Sequence, residues 1–152
     1  MITVNAATDL APYVGKTLGT SDWITLDLQA LRDFGRVTHD EHWVHTDPDR
    51  AAREIPSGQV IAHGFLLLSL ITDLSHRIYT IAKAKRWINY GIDRLRFTAP
   101  VTPRDRVRLH LTLADLEARG PGVTRLVLNC RLDVEGQDRP ALAANWIVIA
   151  YE

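Results

Sequence analysis

The chain has 152 residues, 46% of them hydrophobic and 24% charged, which is enough to bury the core of one domain and excludes a disordered chain. Eighteen Lys and Arg balance 18 Asp and Glu, so no general attraction to nucleic acid or an anionic membrane is expected. With Cys130 as the one cysteine, no intrachain disulfide can form, and its place in an alternating apolar stretch predicts a buried, inert thiol.

In chain order, residues 1–15 lack a basic start followed by an apolar run, so no signal peptide is expected. Residues 21–26 read as a strand. From about Asp27 the spacing of Leu28, Leu31, Phe34 and, less regularly, Val37 predicts a helix. Asp47 followed by Pro48 is a helix start, with Asp as the cap and Pro at the first helical position. Residues 62–76 follow a glycine-containing loop, and over residues 65–71 only Ser69 is not apolar, which predicts a helix buried all round. That run is far too short to span a bilayer, so a cytoplasmic location is the default expectation.

Strand signals follow. Ile92, Leu95 and Phe97 give a first strand that Pro100 ends. Val107, Leu109, Leu111 and Leu113 alternate with Arg108, His110 and Thr112, and the even positions from Leu126 to Val134 are all apolar, so each of these strands buries one face. Residues 141–151 are apolar on both faces, as in a central strand. The turn-rich connections at 119–122 and 135–140 predict antiparallel pairing. One buried helix with a long antiparallel sheet predicts a single α+β domain over residues 1–152, the sheet curled around the helix in the hotdog manner.

Three places carry groups capable of chemistry. Residues 38–47 are dense in carboxylates and imidazoles, and Asp40 and His45 lie between helical segments where both could reach one cavity. A carboxylate and an imidazole together can hold a water, one taking its proton while the other supplies a proton to substrate. A rival reading gives His39, His42 and His45, with Asp40, to a metal. Their spacing spreads them around a helix, and no cysteine pair or H-E-x-x-H supports a site, so no metal is expected. His63 and Gly64 open the apolar helix, where unpaired N–H groups at the positive end of the dipole could polarise a carbonyl, and glycine lets a ligand approach. Gly64 could equally serve tight packing. Thr72 on the same helix reads, by itself, as a core hydroxyl. Lys83, Lys85, Arg86, Arg94 and Arg96 could meet phosphates or remain solvated surface charges.

Residues 34–51, FGRVTHDEHWVHTDPDRA, followed by IAHGFLLLSL at 61–70 and INYGIDRLRFTAPV at 88–101, resemble the MaoC-like (R)-specific enoyl-CoA hydratases, in particular their nodulation-protein-N-like branch. The resemblance runs from Trp23 to the final strand. It implies a hotdog homodimer that adds water to a trans-2-enoyl-CoA to give the (R)-3-hydroxyacyl-CoA, with no cofactor, coenzyme A being part of the substrate. Within the family's D-x4-H pattern the catalytic aspartate falls on Asp40 and the histidine on His45. The glycine whose N–H receives the thioester oxygen falls on Gly64, and the serine supporting the aspartate falls on Thr72. His63, His42, Asn89 and Tyr90 fall in the same motifs and, with Thr72, are expected to bind substrate. Two positions depart from the pattern: His39 stands where glycine usually precedes the aspartate, and His42 where asparagine or glutamine often follows. A thioesterase of the same fold, or a non-catalytic acyl-thioester-binding protein, are the alternative readings.

Overall fold

A computed structural model describes residues 1–152. The chain opens with a short strand, β1 (Ile2–Val4), and a 3-10 helix at Ala7–Tyr13, then two short strands, β2 (Thr17–Thr20) and β3 (Ile24–Thr25). Three helices follow, α1 (Leu28–Thr38), α2 (Trp43–Thr46) and α3 (Pro48–Glu54), before the longest helix, α4 (Gly64–His76). After it come β4 (Tyr79–Ile81) and the long strands β5 (Arg86–Phe97), β6 (Arg106–Gly120), β7 (Val123–Val134) and β8 (Leu142–Tyr151). The main sheet runs β2-β6-β7-β8-β5, entirely antiparallel, with β3 also pairing β6, while β1 and β4 form a small parallel pair.

The period of two in the long strands sets the core. Val107, Leu109, Leu111 and Leu113 of β6 and Leu126, Leu128, Cys130, Leu132 and Val134 of β7 are all buried, and the residues between them face outward. α4 lies against β6, β8 and β4 through Leu67, Ile71 and Leu74, which places the α+β hotdog arrangement in the chain as the periodicity implies. β8, between β7 and β5, buries Trp146, Ile147 and Val148 in succession, as a strand covered on both faces does. Burial pushes the Cys130 thiol up to about 12, so it is an inert core group.

Several expectations change. The strand expected at 21–26 is only Ile24–Thr25, and the neighbouring edge strand β2 was not foreseen. β5 begins six residues before Ile92. α4 is not buried all round: Phe65 is 66% exposed, and Leu66, Leu68 and Leu70 are half-buried. The sheet covers one side of the helix, and within one copy of the chain nothing covers the other.

Candidate active site

The segment between β3 and α4 builds the site from local rules. Asp27 caps α1, its carboxylate accepting from the Ala30 N–H at 2.8 Å. The helix ends at His39, which takes the left-handed conformation with φ 60° and ψ 25°. This is the C-terminal position where glycine is favoured, because a Cβ there crowds the backbone. His39, with its Cβ, bears that cost. The turn sends the Asp40 N–H back to the Gly35 carbonyl at 2.9 Å. His42 caps α2, its Nδ1 accepting from Val44 N–H at 3.4 Å, and its ring lies 5.6 Å from that of Trp43. Asp47 caps α3 through Arg50 N–H at 3.0 Å with Pro48 at the first helical position, as the sequence implies.

Asp40, His45 and His63 converge. One ligand atom from each, a carboxylate oxygen or a ring nitrogen, lies within 4.8 Å of the others. Asp40 is exposed, His45 half-buried and His63 buried. His45 Nδ1 lies 2.6 Å from the Ile61 carbonyl, which can only accept. That nitrogen therefore carries the proton, and Nε2 keeps a free lone pair. Desolvation by burial lowers the His45 pKa below its ordinary value, with the neighbouring His63 and His42 rings acting the same way. The Ile61 hydrogen bond and the Asp40 charge oppose the shift without reversing it. Near neutral pH the ring is a neutral base.

His45 opens onto a cavity of about 350 Å³ that it shares with Ile61, Ala62, Gly64, Leu67, Phe97 and residues 98–101. Gly64 is the first residue of α4, so its N–H has no partner inside the helix. A Cβ on Gly64 would meet the Phe97 ring at 2.8 Å, so the glycine lets the ring and the helix start lie in contact.

The other expected site residues do not line this cavity. His63 is only 2% exposed and faces the protein: its Nε2–H donates to the Asp40 carbonyl at 2.9 Å, and its ring stacks on His45 at 3.8 Å and 27°. It does not line the cavity. Thr72 lies two turns down α4, about 12 Å along the axis from Gly64, and its side chain makes no hydrogen bond to Asp40. It shares a separate recess with Asn89, Ile92 and Trp146. Tyr90, on the other face of the edge strand, lines a third recess with Arg125, Ile149 and Tyr151. Neither Asn89 nor Tyr90 lines the Gly64 cavity, because the bulge between Asn89 and Gly91 and the pleat of β5 turn them away. His42 acts as a helix cap beside His45 rather than as part of the cavity lining. The basic residues of 83–96 do not line it either: Arg86 stacks over Tyr151 at 4.1 Å and Arg96 donates to the Leu95 carbonyl.

Gly35 was missed by the sequence reading. A Cβ there would meet the Asp40 carbonyl oxygen at 2.8 Å and His63 Nε2 at 3.5 Å, so only glycine lets the Asp40 turn pack against α1. A glycine in the middle of a predicted helix, where it costs helix propensity, was the available signal.

Comparison with known proteins agrees with this architecture. The model of the MaoC like domain matches residues 9–125. The 3-hydroxyacyl-thioester dehydratase Z of Mycobacterium tuberculosis is 40% identical over 148 residues, covering 97% of each chain. Nodulation protein N of Rhizobium meliloti is 41% identical over 143 residues, covering 93% of this chain and 89% of that protein. Among solved structures, the unliganded R-hydratase PhaJ1 of Pseudomonas aeruginosa superposes with a TM-score of 0.70 at 22% identity, over 91% of this chain and 82% of that one, a likeness of fold. The matched domain and the near full-length relatives together make this chain a member of the MaoC-like dehydratase family, with the hotdog fold.

Proposed function

We propose that the chain is an (R)-specific enoyl-CoA hydratase, adding water across the double bond of a trans-2-enoyl thioester. Membership in a dehydratase family supports hydro-lyase chemistry. The observation that carries the finer reading is the meeting of the Asp40 carboxylate with a neutral His45, which shares one cavity with the open helix start at Gly64. A water between the Asp40 carboxylate and His45 Nε2 gives up a proton to the pair as its oxygen bonds the β carbon. The electron pair of the double bond moves onto the thioester oxygen, where the Gly64 N–H and the positive end of α4 stabilise the enolate. The proton held by the pair then passes to the α carbon, so the reaction balances with nothing left over. Run backward, the same groups dehydrate the (R)-3-hydroxyacyl thioester. Asp40 and His45 act as one coupled unit in both directions.

The pair needs no metal in this mechanism. Although Asp40, His45 and His63 are close, the two imidazoles are stacked 27° from parallel.

The apolar outer side of α4 and the free edge strand β5, with Phe65, Ile88, Tyr90, Ile92 and Phe97 exposed, support a homodimer closed along that edge. No helix is long and apolar enough to cross a membrane, and a cytoplasmic site of action is part of this proposal.

The test is crotonyl-CoA, followed by loss of enoyl absorbance beside a free-thiol assay. Absorbance loss without thiol release supports hydration. Thiol release makes the chain a thioesterase, and neither signal with retained acyl-CoA binding makes it a binding protein.

A further inference from the structure

His63 touches all three parts of the site while facing none of the open cavity. Its Nε2–H donates to the backbone carbonyl of Asp40 at 2.9 Å, fixing the turn after α1. Its ring is the floor under His45, 3.8 Å between centroids, while Phe34 tilts against it at 5.0 Å. Its own backbone leads into α4: the His63 carbonyl accepts from Leu67 N–H at 3.2 Å, and the next residue is Gly64. The ring is 2% exposed, and the Asp40 carbonyl fixes its tautomer, so its bare Nδ1 is a buried acceptor without a partner. Burying an unsatisfied polar atom costs stability. An aliphatic residue would fill this volume without that cost, and Gly35 has no Cβ where one would press on the Asp40 carbonyl and His63 Nε2. The site keeps an unfavourable group, which points to a purpose beyond packing.

We propose that His63 is a positioning residue that holds the Asp40 carbonyl, the His45 ring and the Gly64 helix start at one fixed separation. This rests on the hydratase reading above. The hydrogen bond and the stack are separable duties. Glutamine can put its amide N–H where Nε2–H now sits but cannot stack, and methionine fills the volume without donating. The titratable groups facing His45 are His63 at the head of α4, Asp40 in the turn after α1 and His42 at the head of α2. Removing the His63 ring takes away one of the influences that lower the His45 pKa, after desolvation.

The test compares His63→Met and His63→Gln with the parent enzyme by crotonyl-CoA kinetics from pH 5 to 9, with circular dichroism for folding. Misplacing a catalytic group by about 1 Å costs on the order of a hundredfold. His63→Met is therefore expected to lose roughly ten- to a hundredfold in kcat with KM within about threefold, while His63→Gln recovers most of that loss. In both, the acid limb of kcat/KM moves to higher pH. A folded His63→Met with parental kcat and an unmoved acid limb overturns the proposal. If His63→Met does not fold, His63→Gln decides: retained kcat with the shifted limb supports the proposal, and a tenfold loss despite the restored donor overturns it. Nitrogen-15 NMR of the His45 ring needs no turnover. If the parent does not hydrate crotonyl-CoA, the hydratase reading falls, and a His45 titration that is the same in parent and His63→Gln separately overturns the positioning role.

Discussion

Gly35→Ala sets two effects of known size against each other. In the middle of α1 the exchange gains about 1 kcal/mol of helix propensity. The new Cβ, however, would stand 2.8 Å from the Asp40 carbonyl oxygen and 3.5 Å from Asp40 C, atoms of backbone that cannot swing aside like a side chain. An ordinary contact needs about half an ångström more, and overpacking of this kind costs about 1–3 kcal/mol. The oxygen that must retreat is the one that holds the His63 Nε2–H, and the same turn returns the Asp40 N–H to Gly35 at 2.9 Å. Overpacking wins, so the variant should be less stable by about 1 kcal/mol, or roughly 2–4 °C in melting temperature for a chain of this size. Its kcat should fall at least tenfold because Asp40 moves. Thermal melts by circular dichroism and crotonyl-CoA kinetics on the same preparation measure both. A variant that melts higher and turns over normally would refute the packing of the Asp40 turn described above.

Three further outcomes follow from the same geometry. His39→Gly relieves a left-handed residue at φ 60° and should stabilise the protein by about 0.5–1 kcal/mol, with kcat within about twofold, by denaturant titration and kinetics. Gly64→Ala pushes a methyl against the half-exposed Phe97 ring, which can rotate. It should stay folded with a melting temperature within about 3 °C of the parent but lose at least about tenfold in kcat/KM. The depressed His45 pKa means that the unfolded chain binds a proton more readily than the folded one. Its stabilisation is thus complete above the ordinary value of about 6.5 and is lost as pH falls from there through the folded value, an effect that His45→Ala should remove from the pH dependence of unfolding.

The sequence made some of this visible because the cause was local. β6 and β7 alternate since one face of each meets the core, and Asp27, Asp47 and Pro48 mark helix starts through their own backbone chemistry. β5 was only half seen because it is an edge strand, exposed on much of both faces and bulged between Asn89 and Gly91 and between Asp93 and Arg96, which breaks the period of two. β2 and β3 are too short to show a period. The apolar run of α4 looked the same whether covered by this chain alone or left partly open, so the exposed Phe65 could not be read. At the site, Asp40 and His45 stood out as neighbours in sequence. The hydrogen bond from His63 to Asp40 spans 23 residues, and no local pattern reports it. Thr72, Asn89 and Tyr90 were drawn in by the family resemblance, while the helix rise and the strand pleat carry them to other recesses.

The central claim is that Asp40 and His45 handle one proton of one water. Its most direct test is crotonyl-CoA hydration by Asp40→Asn, His45→Ala and the double variant, each shown to be folded. A positioned acid–base group contributes on the order of 10²–10⁴-fold, so each single variant should lose at least about a hundredfold in kcat. The double variant should be little worse than the poorer single one, because the pair works as a unit. Near-parental hydration by folded Asp40→Asn would contradict the account.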